Sequence, residues 1–203
     1  MKIICVGRNY AEHARELNSP VTEEPVFFLK ADSALLIRNR PFFYPEFSKE
    51  IHYEVELVIK INRLGKYIQE KYATRYYDEI GLGIDFTARD IQNACKQKGL
   101  PWAAAKAFDN SAPVSRFITL DKLHDRDNIL FHLNLNGKTV QKGNSADMIF
   151  GFDYLVSYLS KFFTLKTGDL VFTGTPAGVG PVKPGDRLTA YLENRKMLDF
   201  LVK

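Results

Sequence analysis

A series of short strand-like runs, not separated by regularly alternating helices, constrains this chain more than any other feature. Lys2–Val6, Val26–Lys30, His52–Ile61, Ile80–Phe86, Ile129–Leu135, Asp169–Thr173 and Arg187–Leu192 are rich in β-branched, aliphatic and aromatic residues between Gly, Pro, Asn and Asp punctuation. Helices are fewer. Asn9 can cap one from Tyr10 to Leu17, with Glu12 in its first turn and Pro20 beyond its end. Thr87-Ala88-Arg89-Asp90 has the form of a capping box opening a helix to Gly99. A third helix is predicted from Ser145 to about Phe163. Its Met148, Ile149, Phe152, Leu155, Val156, Leu159 and Phe163 recur at helical spacing and should pack on a sheet. Many strands without βαβ alternation argue against a doubly wound parallel sheet. They predict an α+β fold, mostly β, with antiparallel or mixed sheets.

No polar linker divides the 203 residues, so one domain spanning 1–203 is expected. LKTGDLVFTG and VKPGDRLTAY both run Lys-x-Gly-Asp into a strand and read as two turns rather than a duplication. The net charge of +4 comes without a long Lys/Arg run, which argues against a nucleic-acid partner. Two cysteines, Cys5 and Cys95, without a CxxC pair, argue against a zinc site and a disulfide framework. No apolar run has the length of a membrane span, and MKIICVGRNY lacks the form of a signal peptide, so a cytoplasmic location is expected.

The chemistry begins in HYEVELVIK. Along a strand His52, Glu54 and Glu56 share one face, while Tyr53, Val55, Leu57 and Ile59 share the other. The two glutamates then stand roughly 6–7 Å apart at Cβ. At an effective dielectric of about 20, two charges about 5 Å apart repel by roughly 3 kcal/mol. Water removes that cost on an open face. On an enclosed face a cation must balance it, or one group must hold a proton. Leu57-Val58-Ile59 is apolar on both faces and points to an interior strand. A third acid, Asp85, ends the run GLGID. Three carboxylates without a Cys ligand favour a hard ion, Mg²⁺ or Mn²⁺. Spacing alone leaves open whether Asp85 meets the two glutamates.

Other candidates surround this set. His13 and Glu16 are three apart in NYAEHARELN. They form either an ordinary surface pair or a pair able to hold a water and take its proton. Lys106 is the lone charge in WAAAKAF, and needs an anion, whether Asp109, a substrate or the acidic cluster. Arg89 and Gln92 follow Asp85 closely and can face the same cavity. FTGTPAGVGP lacks the phosphate-loop and dinucleotide patterns. Thr175 and nearby N–H groups there could bind a carboxylate, or the glycines could simply make a tight turn.

Together GRNYAEHARE, HYEVEL, GIDFTARDIQ, PWAAAKAFD and FTGTPAGVGP resemble the fumarylacetoacetate hydrolase family in order and spacing, from about Val6 to Pro184. The likeness is greatest to its short acylpyruvases and oxaloacetate decarboxylases. The resemblance implies a mixed β-sandwich roll with a few short helices, a homodimer, and one Mg²⁺, or Mn²⁺, held by Glu54, Glu56 and Asp85. It implies a water-activating dyad of His13 and Glu16 on a lid helix, an active-site Lys106, and substrate contacts from Arg8, Arg89, Gln92, Gly174 and Thr175. The expected activity is hydrolysis of a C–C bond in a small 2-oxo acid, a 3-acylpyruvate, through a pyruvate enolate. Oxaloacetate decarboxylation, isomerisation of a 2-hydroxy-dienoate, and metal-dependent carboxylate binding without turnover are the alternatives. The His13–Glu16 pair, which a pure binder would not need, separates the last from the others.

Overall fold

The computed structural model describes residues 1–16 and 22–203. Its largest sheet has six strands in the order Val26–Lys30, Ile3–Gly7, Leu170–Phe172, Val55–Ile61, Tyr77–Ile84 and Ile118–Thr119. Ile3–Gly7 runs parallel to Leu170–Phe172, and the other pairings are antiparallel. Val55–Ile61 is central and buried on both faces from Val55 to Ile59, which is why its sequence is almost continuously apolar.

A second, antiparallel sheet orders Lys138–Asn144, Leu130–Leu135, Arg187–Leu192 and Arg195–Leu201. Leu57, Ile59, Ile80 and Leu82 of the first sheet share one core with Phe131, Leu133, Leu188, Ala190 and Leu198 of the second. The result is the mostly β, sandwich-like α+β fold expected.

Three neighbouring strands of the large sheet continue into a small three-stranded sheet in the same lateral order. Leu170–Phe172 leads to Gly180–Pro181, Val55–Ile61 is preceded by Ile51–Tyr53, and Tyr77–Ile84 is followed by Thr87–Ala88. Glu54 sits at the middle crossing, Asp85 at the third, and Gly174 and Thr175 at the first. The Asp85 N–H donates to the Glu54 carbonyl at 2.8 Å, locking two crossings together.

Two strand predictions, Val26–Lys30 and Arg187–Leu192, coincide with the observed elements. The run His52–Ile61 is instead two strands broken at Glu54. The third helix is Phe152–Phe162, not Ser145 onward: Ser145–Asp147 forms a 3₁₀ turn capped by Asn144, and Gly151 precedes the helix. Met148 and Ile149 therefore lie outside it; Met148 bridges to Tyr10, and the Ile149 N–H donates to Asn9 O at 2.9 Å. The second helix is Arg89–Lys98, and Thr87 makes no cap because it lies in a strand. The first is Ala11–Glu16; the predicted Leu17 and Pro20 lie outside the described residues. Asn9 does not cap it with its side chain, which reaches across the fold to Phe150 and Thr173. None of the described helices is long and apolar enough to cross a membrane, and Cys5 and Cys95 are free and buried.

Candidate active site

Glu54, Glu56 and Asp85 converge where the strands cross. One oxygen from each lies within 4.8 Å of the others, and the residues are 5%, 2% and 1% exposed. Burial this complete excludes a solvated acidic patch. The three respond differently to it. Burial, Asp85 and Glu54 together push the Glu56 carboxyl well up, against the pull of the Gly174 N–H. Burial would raise Glu54 as well, but Lys106 and Arg89 hold it well below the ordinary range. A set of three buried oxygen donors, one of which favours a proton when no cation is near, fits a hard divalent ion.

The cations are arranged around these acids. The Lys106 ammonium donates to Glu54 Oε2 at 2.8 Å, Asp85 Oδ2 at 2.7 Å and Thr87 Oγ1 at 2.6 Å. Its pKa is raised: burial works against the charge, but Asp85 and Glu54 outweigh it. Lys106 is thus a fixed cation, and its partners are the acidic cluster rather than Asp109, which accepts from Ser33 instead. Arg89 donates to Glu54 Oε1, to Gln92 Oε1 at 2.6 Å and to His52 Nδ1 at 3.4 Å. His52 in turn meets Glu50 Oε1 at 2.9 Å through Nε2, and burial and Arg89 lower its pKa, so it serves as a neutral prop. Arg89 uses three of its five N–H donors in this way and keeps two for a ligand.

His13 lies in the cleft wall, buried, with Nδ1 3.2 Å from Glu16 Oε2. Glu16 also accepts from the Gly178 N–H at 3.1 Å, which ties the short helix to the glycine-rich loop. With its proton on Nδ1, the neutral imidazole presents Nε2 as a base. Arg8, Arg89, Gln92 and Thr175 line the same cleft with the three carboxylates, Lys106 and His13. Gly174 contributes differently. Its N–H donates to Glu56 Oε2 at 2.7 Å, so it orients a carboxylate rather than lying free for substrate. The Thr175 hydroxyl is occupied too, donating to Val55 O at 2.8 Å and accepting from Gln141 Nε2 at 2.9 Å.

Three further residues join the site with little or no signal in the sequence. Lys30, at the end of VFFLK, is fully buried beneath the acids, 2.8 Å from Asp85 Oδ1. It also donates to the carbonyls of Lys106, Phe86 and Ser111. Gln141 joins Val55 N, Thr175 and Pro176 O from the second sheet. Lys96 lines the cleft one turn beyond Gln92. A lysine at a strand end carries no sign of burial, and a glutamine in KTVQKGN carries no sign of its partners. Only Lys96 had a signal: it shares a helical face with Arg89 and Gln92.

Comparison with known proteins agrees with this geometry. Residues 2–199 match the family described as fumarylacetoacetate (FAA) hydrolase C-terminal. Over 201 residues the chain is 43% identical to "Oxaloacetate tautomerase FAHD1, mitochondrial" of Mus musculus, covering 99% of this chain and 91% of that one. It is 46% identical over 185 residues to "Oxaloacetate decarboxylase, mitochondrial" of Dictyostelium discoideum, covering 91% and 85%. Among solved structures, fumarylpyruvate hydrolase of Pseudomonas aeruginosa, in complex with Mn²⁺ and pyruvate, superposes with a TM-score of 0.94 at 36% identity, covering 100% of this chain and 89% of that one. These relatives are enzymes.

Proposed function

Because the chain belongs to the fumarylacetoacetate hydrolase family, we propose that it is a divalent-cation-dependent enzyme of small 2-oxo acids, and that it interconverts the keto and enol forms of oxaloacetate. The observation that carries this reading is one cleft that brings together three buried carboxylates, a fixed ammonium and a carboxylate-oriented imidazole. The relatives named for oxaloacetate point to the substrate.

Mg²⁺, or Mn²⁺ in its place, would be held by Glu54, Glu56 and Asp85 and would supply a Lewis acid for the 1-carboxylate and 2-oxo oxygens. Arg89 and Gln92 orient the keto-acid head with the donors they keep free. His13, held by Glu16, takes a proton from C3; the 2-oxo oxygen gains one as the enol forms, and no carbon–carbon bond breaks. All three N–H bonds of Lys106 are taken within the site, so its part is a fixed positive charge beside the oxygen where negative charge develops.

Hydrolysis of a 3-acylpyruvate is the second reading. It is favoured by the His13–Glu16 pair, which could equally deprotonate a water, and by the fumarylpyruvate hydrolase likeness. One experiment separates them. With Mg²⁺ present, ketonisation of enol-oxaloacetate is followed by ultraviolet absorbance, beside CO₂ release from oxaloacetate and pyruvate release from acetylpyruvate. Accelerated ketonisation that outpaces both releases is the expected result. Pyruvate release without accelerated ketonisation would replace the tautomerase reading with the hydrolase one.

A further inference from the structure

The charge of the cleft is uneven along its length. At the carboxylate end Lys106 and Arg89 pair with the acids, and Lys30 supports them from beneath. Arg8 and Lys96 line the same cleft, yet among the described residues neither forms an ion pair.

An aromatic wall joins the two regions. Lys106 Nζ lies 5.1 Å from the centroid of Phe28; Phe28 meets Trp102 edge-on at 6.3 Å; Lys96 Nζ lies 5.7 Å from the Trp102 ring. A ligand lying along this wall has a cation near each end. Lys96 is held toward the cleft by the helix that carries Arg89 and Gln92, at i, i+3 and i+7 of one face.

Arg8 is held there against its own backbone preference, at φ +61°. The next residue enforces it. The buried Asn9 side chain donates to Thr173 O at 2.7 Å and Phe150 O at 3.0 Å, and accepts from Phe150 N at 2.7 Å. Such conformations persist where the surroundings over-determine them, and they concentrate at ligand clamps. Burial and the charges of Arg89 and Arg8 also lower the Lys96 pKa, against the opposing pull of Glu54.

We propose that Arg8 and Lys96 form a second anion pole that binds a carboxylate on the substrate's tail, so that the enzyme prefers dicarboxylic 2-oxo acids to those with a neutral tail. The proposal rests on the head-group reading above for the direction in which the substrate lies.

The test uses Mg²⁺-loaded protein and two ligands with the same head, oxaloacetate and acetylpyruvate, measured by calorimetric binding and by KM wherever either is turned over. The parent protein should favour oxaloacetate. Lys96→Met, on an exposed helix position, should reduce that preference at least about tenfold, Lys96→Glu should reduce it further, and Lys96→Arg should restore it. A parent that binds both ligands equally, or a Lys96→Met protein that weakens both equally, would overturn the second pole. Lys96-dependent preference in binding without any accelerated ketonisation would leave the pole standing and remove the tautomerase reading instead.

Discussion

The Gly174 N–H donates to Glu56 Oε2 at 2.7 Å, and any larger residue at that position would be strained. Its φ is +104°, and an added Cβ would come within 2.7 Å of Asn9 Cβ. Gly174→Ala should lower the unfolding free energy by about 1–3 kcal/mol and shrink the rise in melting temperature that saturating Mg²⁺ produces. Glu56→Gln should abolish that rise without the strain. Thermal melts of both variants, with and without Mg²⁺, check this; an unchanged Mg²⁺ shift in Glu56→Gln would remove Glu56 from the cation site.

Lys30 is a buried charge whose partners are Asp85 and a set of carbonyls. Lys30→Met keeps the length of the side chain and leaves Asp85 with one cation fewer. Breaking a buried pair from one side costs about 3–5 kcal/mol. Urea denaturation should show a loss of that order, and a loss below about 1 kcal/mol would mean that the ammonium contributes little to the fold.

Glu16 touches His13 and Gly178 but is not among the three converging carboxylates. Glu16→Gln removes the charge that favours the imidazolium, so kcat should fall by roughly 10²-fold or more. The Mg²⁺-induced thermal shift should persist, because Glu16 is not one of the proposed ligands. Unchanged kcat would take the pair out of the reaction.

Asp199 does not line the cleft; it links Arg187, at 2.7 Å, to Lys196, at 2.8 Å. The hydrogen bonds from these two lower its pKa from 3.8 to about 2. A carboxyl whose folded pKa is depressed stabilises the fold above its unfolded pKa and loses that contribution as pH falls through the folded one. The contribution should therefore be full above about pH 4 and vanish toward pH 2. Asp199→Asn should be less stable than the parent at pH 7 and converge with it in acid. Because Arg187 and Lys196 are exposed, added salt should narrow the gap at pH 7; parallel stability curves from pH 7 to pH 2 would contradict this.

Much of the site was legible in the sequence because strand alternation reports which face a residue occupies. Glu54 and Glu56 could be placed side by side, and Asp85 at the end of the next strand. What alternation cannot report is a long-range partner. Lys30 sits in an ordinary strand, and its burial follows from the approach of Asp85, Lys106 and Ser111, whose positions depend on the whole topology. Lys138–Asn144 and Arg195–Leu201 are not legible as strands for a related reason. KTVQKGN and RKMLDFL carry polar or charged residues on their open faces, and pairing with Leu130–Leu135 and Arg187–Leu192 makes them strands. The third helix starts later than its apolar spacing predicts: Met148 and Ile149 keep that spacing, whereas Gly151 and the 3₁₀ turn set the start.

Glu54 and Asp85 each occupy the residue at which a strand leaves one sheet for another. A cation gripped by both would act as a rivet across the junction of the two sheets, with the 2.8 Å Asp85–Glu54 backbone bond as its washer. Any substitution that shifts one sheet relative to the other, even from the far edge of the large sheet, would first loosen the rivet. Metal affinity should therefore register distant packing defects before the global melting temperature does.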